Sequence, residues 1–351
     1  MSFRLILASA SLIALAACGA ADQTPADRSD TRAPAVAAAA PLLTSAQIES
    51  GVPGPPAPSG PAPAEGQPPP AYAPDAGMVR LQILLDRSRF SPGVIDGLGG
   101  ENTRQAIAAW RKANDLGEGD TVDEALLQGL AAGDAGRVMS QYSLTAADVA
   151  GPFSPASTGD LAELVRVGVH YSSARERLAE RFHVTEALLQ GLNPGVDFRR
   201  AGQTIVVPAV TDTPLAGVAR IVVDKTERSA CAYDASGALL AFYPATIGSS
   251  ERPAPSGTVT VVGVAPEPDY TYDPDRVSYD RGDARVVVPA GPNNPVGTVW
   301  IDLSRDTYGI HGSPDPSKIG KTASNGCVRL TNWDAEQLAA GVRPGVVVRF
   351  I

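Results

Sequence analysis

Near the C-terminus two side chains have the chemistry for nucleophilic catalysis. Cys327 is one of three cysteines, His311 is one of three histidines, and sixteen positions separate them. A thiol attacks mainly as the thiolate, and an imidazole within hydrogen-bonding reach can take its proton and later serve as general acid. Gly326, just before the cysteine, lets the backbone turn tightly, so the amides of Gly326 and Cys327 can point at a developing oxyanion. Arg329, two positions beyond, carries a planar cation suited to a bidentate grip on a carboxylate. Ser324 can tie this loop through its hydroxyl or be a plain turn serine. The remaining histidines, His170 and His183, lie too far from His311 to give zinc-ligand spacing. They read as structural, and neither a metal nor a cofactor is expected.

Positioning such a pair requires a rigid frame, and from Val218 onward the chain is strand-rich. The runs IVVDK, SACAYDA, ALLAFYPATIG, GTVTVVGVA, GTVWIDL, YGIHG and VVVRFI are separated by Gly, Pro, Asp and Ser turns. This length suits one β-sandwich or barrel-like domain, expected over 217–351. Trp333, Ala335, Leu338 and Ala339 predict one short helix after the cysteine. Cys231, within the SACAY run, reads as a small buried thiol. A disulfide between it and Cys327 would silence the nucleophile.

The upstream half is organised differently. The chain of 351 residues is 44% hydrophobic but holds 35 Gly and 31 Pro, which suits two or three small domains on linkers. Its net charge is −9, and a pI near 4.9 argues against a nucleic-acid partner held by a basic surface. Residues 1–18 carry one charge, Arg4, then an apolar run too short to be an ordinary membrane span, then small residues, the pattern of an export signal. Residues 19–76 are Ala/Pro-rich, with ten prolines in the 24 positions from Gly51 to Pro74, and predict an extended, disordered linker. Helical periodicity at Val79, Leu81, Ile83 and Leu84, then at Ala106, Ile107, Ala109 and Trp110, predicts a small all-α unit over 77–133. A connector is expected at 134–158, where Gly151-Pro152 and Ser154-Pro155 fall. A small α+β unit is expected at 159–209, with two short helices and a strand at Thr204–Val207.

The ordered set Ile310-His311-Gly312-Ser313 and Ser324-Asn325-Gly326-Cys327-Val328-Arg329-Leu330 resembles the signature of the YkuD-type L,D-transpeptidase catalytic domain. Thr246-Ile247-Gly248, Pro255-Ser256-Gly257-Thr258 and the proline loop Gly291–Gly297 agree with it, and the likeness covers residues 218–351. The resemblance implies that Cys327 attacks a stem tetrapeptide of peptidoglycan to give a thioester. It implies that His311 is the base, oriented by the backbone carbonyl of Gly312, and that Arg329 faces substrate. Asn325 departs from the pattern, which usually has histidine there; activity is still expected, because the base is the earlier histidine. The acceptor could be a neighbouring stem amine, a protein amine or water, the last making the enzyme an L,D-carboxypeptidase or endopeptidase; a non-catalytic wall-binding lipoprotein is the alternative from a different class. Residues 77–133 resemble a peptidoglycan-binding domain, and Tyr171–Pro208 resembles a glycan-binding LysM unit whose usual opening is replaced by Ser172-Ser173-Ala174-Arg175. Leu15-Ala16-Ala17-Cys18 resembles a lipobox; a lipid on Cys18 would place the protein in the periplasm, anchored to the outer membrane. An ordinary signal peptide with Cys18 incidental is the alternative.

Overall fold

The computed structural model describes residues 40–56, 72–133, 136–155, 159–211, 213–249, 252–277 and 279–351. Cys18 and the export signal lie outside the described residues, as does most of the expected linker. Part of that linker is folded, however. Thr44 and Gln47 form a reciprocal capping box at the start of α1 (Ser45–Ser50), and Ile48 from this helix is fully buried. The proline count that predicts an extended chain begins only at Gly51, and the segment TSAQIES before it is compatible with a helix.

Three helices follow: α2 (Ala76–Arg87), α3 (Glu101–Ala113) and α4 (Glu124–Gly133). The stretch expected as a connector then supplies β1 (Met139–Ser143) and the short α5 (Ala146–Val149). After α6 (Leu161–Val167), α7 (Ala174–Arg181) and α8 (Glu186–Leu192) comes β2 (Thr204–Pro208), which pairs antiparallel with β1, Met139 opposite Pro208. A lone strand at 204–208 would leave its backbone groups unpaired, and β1 satisfies them. Ser173 caps α7, its side chain accepting from the Glu176 amide. The two upstream units share one core, in which Leu81, Leu85, Ile107 and Leu126 pack with Leu178, Leu188, Ile205 and Val207. Together they form a single accessory lobe.

The remaining elements are β3 (Arg220–Asp224), β4 (Ser229–Tyr233), β5 (Leu239–Pro244), β6 (Gly257–Pro266), β7 (Tyr270–Tyr272), β8 (Val286–Val288), β9 (Val299–Leu303), β10 (Gly309–His311), β11 (Val328–Arg329), α9 (Asn332–Gly341) and β12 (Val347–Phe350). Eight of the strands form one sheet in the order β11-β10-β9-β6-β12-β3-β4-β5. The sheet curls until its ends meet. Thr246, just past β5, exchanges both backbone hydrogen bonds with Arg329 of β11, at 2.9 and 2.8 Å. The second core, including Ile221, Tyr243, Ile301, Ile310, Leu338 and Val348, belongs to this domain. β7 and β8 make a separate hairpin, and Tyr272 and Val288 from it pack with Leu161 and Leu164 of α6.

Accessory lobe and sheet meet along a polar seam. The exposed edge of β5 is closed by the chain after α2, as Ser91 N–H donates to Phe242 O and Phe242 N–H to Arg89 O. Ser91 Oγ donates to Asp334 Oδ2 at 2.9 Å. His183 Nδ1 lies 3.1 Å from each Asp86 oxygen, and its ring stacks on Trp333 with centroids 4.7 Å apart. The sequence reading of His183 as structural assumed no carboxylates around it; the structure instead sets it against Asp86, with Asp334 and Glu180 nearby.

Burial raises the carboxyl of Asp334 to about 7, with the Asp86 charge adding to it, and raises Glu180 to about 8. A carboxyl whose folded pKa exceeds its unfolded value gives stability that is full below the unfolded pKa and is lost as pH rises through the folded one. The seam is therefore expected to weaken between about pH 5 and 8. The melting temperature should fall from pH 6 to pH 9, and Glu180→Gln should reduce that fall by about two thirds, since above pH 6 Glu180 stays protonated over about twice the pH span of Asp334. An unchanged slope in the variant would contradict the assignment to Glu180.

Candidate active site

Strand pairing brings the two segments of the signature together. β10 lies parallel to β11, with Ile310 opposite Val328 and His311 opposite Arg329. Cys327 stands one residue before β11, so thiol and imidazole come from neighbouring strands at the seam where the sheet closes on itself. On its other side His311 faces Trp300 of β9, and the two rings stack with centroids 5.3 Å apart and planes 18° from parallel.

His311 is 2% exposed. Its Nδ1 lies 2.7 Å from the Gly312 carbonyl oxygen. A carbonyl only accepts, so Nδ1 carries the proton and Nε2 is left free to take one. Burial, with the Arg329 charge adding to it, depresses the imidazole pKa to about 3. The ring is neutral at physiological pH, as a general base must be.

The cysteine loop is held by a small set of bonds. Ser324 Oγ donates to Cys327 O at 2.6 Å and accepts from Gly326 N at 3.2 Å, closing a four-residue turn. Gly326 has φ +110°, and a Cβ there would meet the Tyr308 ring at 2.9 Å, so both conformation and space call for glycine. The Gly326 amide is thus already engaged. Of the two amides considered for an oxyanion, that of Cys327 is the one with no acceptor among the described residues. The thiol is half-buried, and its Sγ lies 3.7 Å from Thr307 O. Desolvation raises its pKa above that of an ordinary thiol, while the Gly309 backbone and the Arg329 charge pull the other way. Cys327 and His311 are therefore each neutral at rest. Both Cys327 and Cys231 are free thiols; burial pushes Cys231 up to about 12, leaving it inert at neutral pH.

Asn325, the odd position of the signature, accepts from Arg252 Nη1 at 2.9 Å, and the Arg252 guanidinium lies over the Tyr279 ring. Arg329 has no hydrogen-bond partner for its buried Nε, and burial lowers its pKa, with the Arg281 charge among the smaller causes. Beside it a cleft of about 460 Å³ opens between the accessory lobe and the sheet, lined among others by Arg281, Ser313, Lys318, His170 and Glu176. Sequence reasoning missed Arg252, Trp300 and Asn332. Trp300 and Asn332 each had a weak signal, one as one of only three tryptophans and the other as lying five positions past the cysteine.

The curled sheet thus carries a neutral thiol and a neutral, carbonyl-oriented imidazole at its closing seam, groups of the kind that nucleophilic catalysis uses. Comparison with known proteins places it more closely: residues 218–349 match the model of the L,D-transpeptidase catalytic domain, YkuD. A Bacillus licheniformis protein designated L,D-transpeptidase YkuD is 31% identical over 175 residues, covering 49% of this chain and 90% of that protein. The Salmonella typhimurium protein designated L,D-transpeptidase ErfK/SrfK is 30% identical over 222 residues, 61% of this chain and 71% of its own length. The Escherichia coli K12 protein of the same designation is 31% identical over 193 residues, and the chain spans 62% of it. The chain belongs to the YkuD L,D-transpeptidase family.

Proposed function

We propose that this protein is a cysteine L,D-transpeptidase acting on peptidoglycan. Cys327 attacks the carbonyl between a meso-diaminopimelate or L-lysine residue and the terminal D-alanine of a stem tetrapeptide. His311 Nε2 takes the thiol proton and returns it to the departing amine, so the C–N bond breaks as the C–S bond forms and D-alanine leaves. An amine acceptor, from a neighbouring stem or a protein, then displaces the thiol and completes the transfer. The observation that carries this reading is the commitment of His311 Nδ1 to the Gly312 carbonyl, which leaves Nε2 as the unprotonated nitrogen, on a strand paired with the one that Cys327 precedes. The free Cys327 amide supports a role in holding the oxyanion. Ser324 and Gly326 shape the turn that presents it, and Asn325 lines the site through Arg252. Arg329, a cation with an unpaired Nε beside the cleft, is suited to a substrate carboxylate.

The accessory lobe, in the same reading, holds the enzyme to glycan, and a lipid on Cys18 anchors it in the envelope. The test is incubation of residues 39–351 with disaccharide-tetrapeptide, with products followed by mass. A dimer lacking one D-alanine supports transfer to an amine, a tripeptide alone supports transfer to water, and Cys327→Ala should give neither. If the parent chain also gives neither, and a carbapenem leaves no covalent adduct on Cys327, the enzymatic reading fails.

A further inference from the structure

The peptide unit between Gly312 and Ser313 does two things at once. Its carbonyl accepts from His311 Nδ1 at 2.7 Å, and its N–H donates to Asn332 Oδ1 at 3.1 Å. Because the unit is planar, a rotation that breaks one bond disturbs the other. Asn332 is 3% exposed and all its hydrogen-bonding capacity is used. Oδ1 accepts a second bond from Thr298 N at 3.3 Å, and Nδ2 donates to Pro292 O at 3.3 Å and to Glu180 Oε2 at 2.9 Å. Glu180 belongs to α7 of the accessory lobe and is itself buried. A continuous series of hydrogen bonds thus runs from the accessory lobe to the imidazole, through one side-chain amide and one peptide plane.

We infer that Glu180 is a positioning residue for His311, with the accessory lobe fixing the Asn332 amide, and through it the Gly312–Ser313 peptide plane, at the rotation where Nε2 can take the thiol proton. The inference rests on the reading of His311 as the base. Without Glu180, one Nδ2–H is left buried and unsatisfied. The amide then tilts or turns over to find an acceptor, and either movement withdraws Oδ1 from the Ser313 amide. Glu180 touches neither substrate nor the reacting atoms; its effect falls on the chemical step and leaves donor binding alone.

The experiment compares the full chain carrying Glu180→Ala or Glu180→Gln with the parent, by turnover of disaccharide-tetrapeptide and by the pH profile of Cys327 alkylation with iodoacetamide. Glu180→Ala should lower kcat by roughly 10–100-fold with KM held within about twofold, as expected when a catalytic group is misplaced and binding is not. It should also steepen the alkylation profile toward that of a chain lacking the base. Glu180→Gln, whose amide oxygen still accepts from Asn332, should restore kcat to within about threefold of the parent. The inference is overturned if Glu180→Ala lowers only the melting temperature, leaving kcat and the alkylation profile unmoved. Should Glu180→Ala not fold, Glu180→Leu, which fills most of the space and accepts nothing, is read by the same criteria. The parent's own turnover tests the proposed enzyme separately, and the alkylation profile reports on the imidazole even if no turnover is found.

Discussion

Replacing His311 by glutamine is expected to slow acylation of Cys327 by about 10³-fold, within the range of roughly 10²–10⁴ that a positioned general base supplies. The reason is specific to a neutral pair. Desolvation keeps the thiol protonated at rest, so without a base only the small thiolate fraction can attack. The pH dependence gives a second signature. An ordinary histidine gains its proton near pH 6.5 and would lose its basic form as the solution is acidified. Here burial holds the imidazole pKa near 3, so the unprotonated form persists well below pH 6. Carbapenem acylation of the parent should therefore stay nearly level from pH 7 down to about 5. In His311→Gln the residual rate should rise about tenfold per pH unit, tracking thiolate. A parent whose rate collapses between pH 7 and 6, or a variant with a flat profile, would contradict the assignment.

Gly312→Ala is the second large effect expected. The backbone at Gly312 is not in the left-handed region, so the penalty comes from space alone. A Cβ there would fall well inside van der Waals contact with Asn332 Oδ1. The amide cannot yield without releasing the Ser313 N–H, the Thr298 N–H or Glu180. Overpacking of this kind costs about 1–3 kcal/mol, enough to lower the melting temperature by several degrees. Acylation should fall by at least about tenfold, because the peptide plane that orients His311 must move. Adding Asn332→Ala to Gly312→Ala relieves the clash but not the loss of the clamp. Because the Ser313 and Thr298 amides then lose their acceptor, the double variant is expected to regain neither stability nor acylation rate, read by thermal unfolding alongside carbapenem labelling. Recovery of both together would mean that Asn332 is only a spacer.

The longer strands of the catalytic domain, with β10, were legible because each lies in a local apolar run bounded by turn residues, whereas β7, β8 and β11, of two or three residues, were not. The candidate site was legible for a similar reason. Its signature residues fall within a stretch of about twenty, and strand pairing between β10 and β11 has only to fold that stretch back on itself. β1 was not legible: its sequence MSQYS is polar and largely exposed, and its role as partner of β2 depends on a strand more than sixty residues away. Nor was the fold of Ser45–Ser50, where a capping box and one buried isoleucine outweigh the proline-rich composition around it.

Residue type and order alone therefore determine that a thiol, an imidazole and a cation lie close along the chain, inside a β-rich domain of a recognisable family. The state of those groups is decided in three dimensions. The proton on His311 Nδ1, the neutrality of both partners and the engagement of Asn325 by Arg252 all follow from burial and from contacts across the fold. So does the connection of Glu180 to Asn332, which spans 152 positions. Hydrophobic patterning places backbones, because apolar burial is non-directional and needs only the right face. Hydrogen bonds need particular atoms at particular angles, and only the packed structure brings those atoms within reach.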